Sequence, residues 1–394
     1  MKNPDKTSES LGTRRQLEIY MAGLQGQKPV QPVSVEELEL RAKEVMTPEA
    51  YAYVACGAGS EQTLRANREA FSRWSIVPRL LQNVSERSLG VDLLGKRLPT
   101  PVFLAPVGVQ SIIHAEAELA VARAARWLGV PMILSTASSK TMEEVAVAIG
   151  DMPRWFQLYW PKNPDLAISF LRRAEQAGYS GLVVTLDTYL LGWRERDLQN
   201  GYLPFLYGQG LANYFSDPIF RSALDSPPER DPKQAVLYFA KIFSDPSLTW
   251  DNLGFLRQHT KLPIILKGIL NPEDARKAVD HGVDGMVVSN HGGRQLDGAP
   301  AALDALPAVA DAVAGRAAVL FDSGIRRGAD VFKAMALGAQ GVLLGRPYCY
   351  GLAVGGEQGV RDVVSNLLAD LDLTLGLAGC RSFREVSRKN LERS

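Results

Sequence analysis

The chain has 394 residues, of which 46% are hydrophobic and 22% charged, a balance that describes a folded globular protein and excludes disordered, collagen-like and coiled-coil chains. Its 44 basic and 43 acidic side chains leave a formal net charge of +1, which offers no broad attraction for nucleic acid or an anionic membrane. By length alone two or three domains are expected, but α/β barrels run to 250 residues or more as one unit.

The opening segment to Pro32 mixes charge, Gly and Pro without sustained periodicity and reads as a loosely packed arm, ordered by contact with a neighbouring subunit. Ser34-Val-Glu-Glu37 then forms a capping-box start for one helix, and Thr47-Pro48-Glu49 starts a second. Residues 1–99 are therefore expected to form an arm and helices that pack on the remainder of the chain.

From residue 100 the pattern becomes regular. Short apolar or β-branched runs occur at Pro101–Ala105, Pro131–Ser135, Trp155–Tyr159, Leu182–Leu186, Pro263–Lys267, Gly285–Ser289, Ala318–Asp322 and Gly341–Gly345. Helical spacing follows in segments such as Glu116–Leu128, Met142–Ile149, Pro164–Ala177, Pro272–Asp280, Leu303–Val313 and Ala329–Leu337. Continuous apolar strands alternating with amphipathic helices indicate a parallel sheet covered by helices. Eight such units predict a (β/α)8 TIM barrel over 100–380, with a tail at 381–394. An open doubly wound sheet is the rival, but it would rarely need eight equal repeats.

One spacing is abnormal. Between the fourth and fifth strands the chain inserts a segment, about 188–249, rich in aromatics, Gly and Pro. Loops of this length in a compact domain are usually functional lids, and the aromatic content supports that reading. A surface insertion with its own small core is the alternative.

Chemistry in such barrels gathers at the C-terminal ends of the strands. The first strand ends in Ala105-Pro106-Val107-Gly108, the second in Ser135, the third in Gln157-Leu-Tyr159 and the fourth in Thr185-Leu-Asp187. The fifth ends in Lys267, the sixth in Ser289-Asn-His291-Gly-Gly-Arg294, the seventh in Asp322-Ser-Gly324-Ile-Arg326 and the eighth in Gly345-Arg346. Gly-rich turns with arginine after the last two strands match the barrel's usual phosphate site.

His291 alone among four histidines combines a strand end, a Gly-Gly turn and an arginine three residues on. An imidazole there can accept a proton near pH 7, with a carboxylate such as Asp187 to support its cation. His114, His259 and His281 read as capping or solvated residues. Lys267 has two open readings, a Schiff-base amine or a fixed charge beside a cofactor. Gly57-Ala-Gly59 follows a helical run and lacks the third glycine of a dinucleotide fingerprint.

Cys56, Cys349 and Cys380 stand far apart, with no CxxC pair and no metal-ligand spacing. No disulfide framework and no metal site is expected, and the compartment is a reducing one. With no apolar run typical of a signal peptide and none reaching about 18 residues, a soluble cytoplasmic protein is expected.

Taken together, Tyr51-Ala-Tyr53, Phe156-Gln-Leu-Tyr159, Leu186-Asp-Thr188, Lys267-Gly268, Ser289-Asn-His-Gly-Gly-Arg294, Asp322-Ser-Gly-Ile-Arg326 and Gly345-Arg-Pro347 resemble the FMN-dependent L-2-hydroxyacid oxidase family. The resemblance runs from about Ser34 to Ser387. It implies FMN at the barrel mouth, its phosphate among Asp322, Gly324, Arg326, Gly345 and Arg346. Ser135, Gln157, Thr185, Lys267 and Ser289 would surround the ring system, with backbone of Ala105, Pro106, Val107 and Gly108 close by. The resemblance further implies Arg194 and Arg294 as a clamp on the substrate carboxylate, helped by Tyr53, with Tyr159 on the 2-hydroxyl. It gives His291 as the base and Asp187 as its support.

Within the family, Gly192-Trp-Arg-Glu-Arg-Asp-Leu198, Pro204-Phe-Leu206 and Asn213–Phe220 resemble the lid of the lactate 2-monooxygenase branch, and Gly108 stands where oxidases generally carry alanine. That implies oxidation of L-lactate by O2 with decarboxylation to acetate, CO2 and water. An oxidase releasing pyruvate and H2O2 is the first alternative, and Gln295-Leu-Asp-Gly298 follows the oxidase pattern where the monooxygenase pattern diverges. A quinone- or cytochrome-linked dehydrogenase is the second, and a non-catalytic FMN-binding module the third. A homo-oligomer, tetramer or octamer, is implied.

Overall fold

Ser34 Oγ and Thr47 Oγ1 accept the N–H groups of Glu37 and Ala50, which starts α2 (Val35–Val45) and α3 (Pro48–Ala55) at the caps the sequence marks. The computed structural model describes residues 10–394. Preceding these helices is one the sequence did not signal, α1 (Leu11–Leu24), so the stretch expected as a loose arm is helical over those residues. Its one buried residue is Gly12. A Cβ there would lie 2.7 Å from the Ala369 carbonyl oxygen, so only glycine permits this close approach. Residues 1–9 of the expected arm lie outside the described residues.

After α4 (Gln62–Ser72) come three short strands, β1 (Trp74–Ile76), β2 (Val91–Leu93) and β3 (Lys96–Leu98). The eight expected strands then follow as β4 (Val102–Leu104), β5 (Met132–Ser135), β6 (Arg154–Leu158), β7 (Leu182–Thr185), β8 (Ile264–Ile269), β9 (Gly285–Val288), β10 (Ala318–Phe321) and β11 (Gly341–Leu344). Every neighbouring pair is parallel, and β11 pairs with β4, so the sheet closes. It is a (β/α)8 TIM barrel. Nearly all of its strand residues are buried on both faces, as expected of strands packed between a barrel interior and a ring of helices.

Several of the surrounding helices begin at side-chain caps. Between the strands run α5 (Ala117–Leu128), α6 (Met142–Ile149) and α7 (Pro164–Gln176), the last two capped by Thr141 and Asn163. The insertion after β7 carries α8 (Glu195–Gln199), α9 (Ala212–Phe215), α10 (Pro218–Ser222) and α11 (Pro232–Ile242), and α12 (Leu253–His259) leads into β8. Then come α13 (Pro272–Asp280), α14 (Ala302–Val313), α15 (Gly328–Ala336) and a 32-residue α16 (Arg346–Leu377), kinked at Gly355-Gly356. At the end of the chain β12 (Leu391–Arg393) pairs antiparallel with β1.

The insertion is folded, not slack. Tyr214 packs edge-on against Phe170 of α7 at 5.1 Å and against Phe239 of α11 at 4.8 Å between ring centroids. This aromatic core fixes the insertion to the barrel, while Leu191, Arg194 and Phe205 reach the barrel mouth. Among the described residues, no helix is long and apolar enough to cross a membrane.

Candidate active site

The turn from β9 into the next loop sets His291 at φ +58°, a left-handed conformation that L side chains adopt at a cost and that clusters at functional sites. Its N–H is held by Ser289 Oγ at 3.0 Å. The ring thereby brings Nδ1 to 2.8 Å from Asp187 Oδ1, at the end of β7. Thr188 Oγ1 donates to the same oxygen at 3.0 Å. Gly268, at φ +109°, makes room for that carboxylate, since a Cβ there would stand 2.9 Å from the Cβ of Asp187.

The electrostatics assign the tautomer. Burial pushes the Asp187 carboxyl up, but the charges of His291 and Lys267 and the hydrogen bonds from His291 and Thr188 outweigh it, and the value falls to about 2. Burial holds His291 below the ordinary imidazole value; Lys267 and Arg194 add to that, against the pull of Asp187. A neutral ring whose Nδ1–H donates to a carboxylate leaves Nε2 with its lone pair free. That is the form a general base requires.

Two pairs of arginines flank this base. Arg294 Nη1 donates to the carbonyls of Tyr53 and Cys56, and its guanidinium lies 5.1 Å from the Tyr53 ring centroid. Arg194 is buried; its Nε donates to the Arg294 carbonyl at 3.1 Å and its Nη2 to Gln295 Oε1 at 2.8 Å. Burial and the neighbouring Arg294 charge bring Arg194 down to about 10. The second pair stands at the turns after β10 and β11. Arg326 donates to the Ile325 carbonyl, and Arg346 to the carbonyls of Val54, Gly292 and Cys56. Burial lowers both. Carbonyls rather than carboxylates take the hydrogens of all four, so their charge remains available to anions.

Lys267 Nζ lies 3.3 Å from Asp322 Oδ2, which also accepts from Ser289 Oγ at 2.8 Å. Across the adjoining strand ends Ser135 Oγ donates to Gln157 Oε1 at 3.0 Å, and Gln157 Nε2 to Thr185 Oγ1 at 2.9 Å. Burial, with Tyr53 and Asp187 nearby, pushes the Tyr159 hydroxyl above its ordinary range, so it stays protonated.

One cavity joins Tyr53, Tyr159, Arg194, Lys267, His291 and Arg294 to the Ala105–Gly108 turn and to Asp322, Gly324, Arg326, Gly345 and Arg346. Ser135 and Gln157 lie buried outside its wall, whereas Thr185, Asp187 and Ser289 line a neighbouring cavity. Phe205 of the expected lid also lines the first cavity, as do Ala137, Leu191, Phe243 and Cys349, which the sequence did not single out for the site. Ala137 comes from a loop and Leu191 and Phe243 from the insertion, where apolar residues carry no spacing signal, and Cys349 from the start of α16. His114 accepts the Glu116 N–H at 3.2 Å, the capping role expected of it.

The space and donors fit a flavin mononucleotide. Two half-buried arginines and the glycine turns at 324 and 345 suit a phosphate, and a Cβ on Gly345 would meet nothing nearer than 3.8 Å. The carboxylate of Asp322 is engaged by Lys267 and Ser289, a partnership that suits it to accept from hydroxyl groups rather than to hold a phosphate itself.

Comparison with known proteins agrees. The family model for FMN-dependent dehydrogenase matches residues 42–393. An L-lactate oxidase of Lysinibacillus sphaericus is 45% identical over 93% of this chain and 94% of its own. The 2-hydroxyacid oxidase 1 of Homo sapiens is 41% identical over 90% and 95%. The crystal structure of mandelate oxidase superposes with a TM-score of 0.81 at 41% identity, covering 92% of this chain and 98% of that one. With a closed barrel, a histidine on its carboxylate and arginine pairs at the mouth, the chain belongs to the FMN-dependent 2-hydroxyacid oxidase and dehydrogenase family.

Proposed function

We propose that this chain oxidises a small L-2-hydroxy acid, L-lactate first, with O2 as the electron acceptor. The observation that carries this reading is the His291–Asp187 pair, whose free Nε2 belongs to a cavity also lined by Arg194 and Arg294. Two guanidiniums in a buried pocket favour a carboxylate over an alcohol, because a neutral ligand would leave both charges uncompensated. Tyr53 assists this clamp. The Tyr159 hydroxyl, kept protonated, donates to the 2-oxygen. His291 Nε2 takes the proton the hydroxy acid loses on oxidation, and Asp187 stabilises the imidazolium that forms.

Bound FMN would supply the two-electron acceptor through which O2 takes the substrate's electrons. In this reading Gly324, Arg326, Gly345 and Arg346 hold its phosphate, Asp322 accepts from its hydroxyls, and Lys267, Ser135, Gln157, Thr185 and Ser289 serve its ring system. The backbone from Ala105 to Gly108 forms the opposing wall.

The outcome proposed for L-lactate is decarboxylation to acetate, CO2 and water. The support is the lid: Leu191, Phe205 and Phe243 wall the cavity and favour retention of pyruvate while peroxide forms. Gly108 supports it less directly than its residue type suggests. A Cβ at 108 would lie 2.8 Å from the Ala137 carbonyl oxygen, so glycine here brings two loops together rather than opening space. Release of pyruvate and H2O2 is the second reading, favoured by the lactate oxidases among the relatives.

The test supplies L-lactate aerobically to the flavin-loaded enzyme and quantifies acetate, pyruvate and peroxide together. Acetate without peroxide is the expected result, and peroxide stoichiometric with pyruvate establishes the second reading. Turnover with an artificial dye but no oxygen consumption points to a dehydrogenase. Flavin that L-lactate and other 2-hydroxy acids leave unbleached overturns the proposal.

A further inference from the structure

Gln295 follows the clamp arginine Arg294 and is half-buried, yet its side chain is fully engaged. Oε1 accepts from Arg194 Nη2 at 2.8 Å and from the Gly192 N–H at 3.4 Å. Nε2 donates to the Asp187 carbonyl at 2.7 Å and to the Leu190 carbonyl at 2.9 Å. A primary amide offers two donors and two acceptor lone pairs, so this one has no capacity left. Few residue types could replace it: four bonds to four residues of one segment, Asp187, Leu190, Gly192 and Arg194, need a donor and an acceptor side by side.

What the amide joins is the entry of the lid. The segment from Leu190 to Arg194 leaves the end of β7 just after Asp187 and carries the guanidinium that lines the cavity. Its outward-facing side chains are exposed: Leu190 is 62% and Trp193 71% accessible, so apolar packing does little to hold them. The backbone contacts are close instead. A Cβ on Gly192 would lie 2.6 Å from the carbonyl oxygens of both Arg294 and Gln295, so this residue presses flat on the loop that bears His291. On the other side, the Gly59 N–H donates to the Trp193 carbonyl at 2.7 Å. Gln295 is the point at which the lid entry, the clamp arginine and the backbone of Asp187 share a partner.

We propose that Gln295 is a positioning residue: its amide latches the lid entry to the His291 loop and aims the Arg194 guanidinium at the substrate carboxylate. The proposal rests on the hydroxy-acid reading above. A long arginine side chain loses rotamer freedom when it grips a ligand, and an acceptor that holds it beforehand removes part of that cost. The latch therefore acts on binding of the acid more than on proton removal.

The experiment compares the flavin-loaded parent with Gln295→Met, which keeps the length and loses all four bonds. Gln295→Glu is the second variant; it keeps the acceptor for Arg194 but turns the donor toward Asp187 and Leu190 into another acceptor, and it decides the matter where Gln295→Met does not hold flavin. Two quantities are read: pyruvate binding, from the change in flavin absorbance, with anaerobic bleaching by L-lactate; and hydrogen exchange over residues 188–196. In Gln295→Met, pyruvate binding is expected to weaken at least tenfold, the limiting bleaching rate to change less than about threefold, and exchange over 188–196 to accelerate. Exchange accelerates in Gln295→Glu as well.

Unchanged binding and exchange overturn the latch, and so does a limiting rate that falls as far as binding does, since the residue would then act through the base. A parent enzyme that binds no pyruvate and is not bleached refutes the hydroxy-acid reading instead. Exchange alone then decides the latch, and unaltered exchange removes it.

Discussion

At the scale of single residues, the pair formed by His291 and Asp187 makes the most direct prediction. Burial keeps His291 below the ordinary imidazole value of 6.5, so it is neutral and basic at pH 7. The ratio of flavin reduction rate to substrate dissociation constant reports free-enzyme groups. Measured anaerobically by stopped flow, this ratio is expected to fall on the acid side only below pH 6.5, as the base becomes protonated. An acid limb centred above that value contradicts the assignment. Replacing Asp187 by Asn removes the charge that favours the imidazolium and inverts the hydrogen bond that sets the tautomer. The reduction rate is expected to drop by about 10²–10⁴-fold, with the acid limb moving to still lower pH. His291→Gln should retain flavin and lose its reduction by L-lactate; rapid bleaching in that variant removes His291 from the role. The same pair contributes to stability. The folded-state carboxyl of Asp187, at about 2 against 3.8, adds stability that is present above pH 3.8 and is lost as pH falls through about 2.

At the scale of elements, the first turn of α5 ties two loops of the barrel mouth together. Glu118 is buried, and its Oε1 accepts the N–H groups of Gln110 at 3.2 Å and Ser139 at 3.0 Å, while Oε2 has no partner. Burial raises this carboxyl to about 7, against those two N–H groups and the Lys140 charge. The sign is opposite to that of Asp187. The folded chain retains a proton that the unfolded chain releases near 4.5, so the stabilisation is complete below pH 4.5 and is lost as pH rises through about 7. Glu118→Gln keeps an acceptor and cannot ionise. Thermal unfolding is expected to show this variant a few degrees more stable than the parent at pH 8 and little different at pH 4.5; equal melting at both values sinks the buried-carboxyl account. Elements differed in how plainly the sequence announced them. Strands β4–β11 were legible because strands buried on both faces are continuous apolar runs, and the helices after them because Thr141, Asn163 and Asn271 cap them. Helix α1 was not legible, since it docks through Gly12, whose N–H donates to Asp372, and not through an apolar stripe. Nor was the pairing of β1 with β12, three residues each from distant parts of the chain.

At the scale of the whole molecule, what the sequence showed of the site were the motifs at strand ends: His291, Asp187 and the arginines stand in short runs whose place in the barrel follows from the strand count. Gln295 and Ala137 remained hidden because their role depends on which loops meet, and Phe243 because the insertion had no periodicity to place it. That same insertion carries the last prediction. Its lid exposes Tyr189, Leu190, Leu191, Trp193, Leu198, Leu206 and Tyr207, each more than half accessible, although the segment around them is well packed. So many exposed apolar side chains within one folded segment point to an interaction surface. With a formal net charge of +1, little long-range repulsion opposes the approach of a second copy. We therefore expect a homo-oligomer whose contacts include the lid, and sedimentation of the flavin-loaded chain is expected to give a mass several times that of one protomer. Trp193→Glu combined with Tyr207→Glu places charges on the exposed face, away from the aromatic core of Tyr214, Phe220 and Phe239 that holds the insertion in place. The double variant should bind flavin as the parent does but sediment as a smaller species. A parent that sediments as a monomer removes the interface outright, and a double variant that keeps the parent's mass moves it to another face.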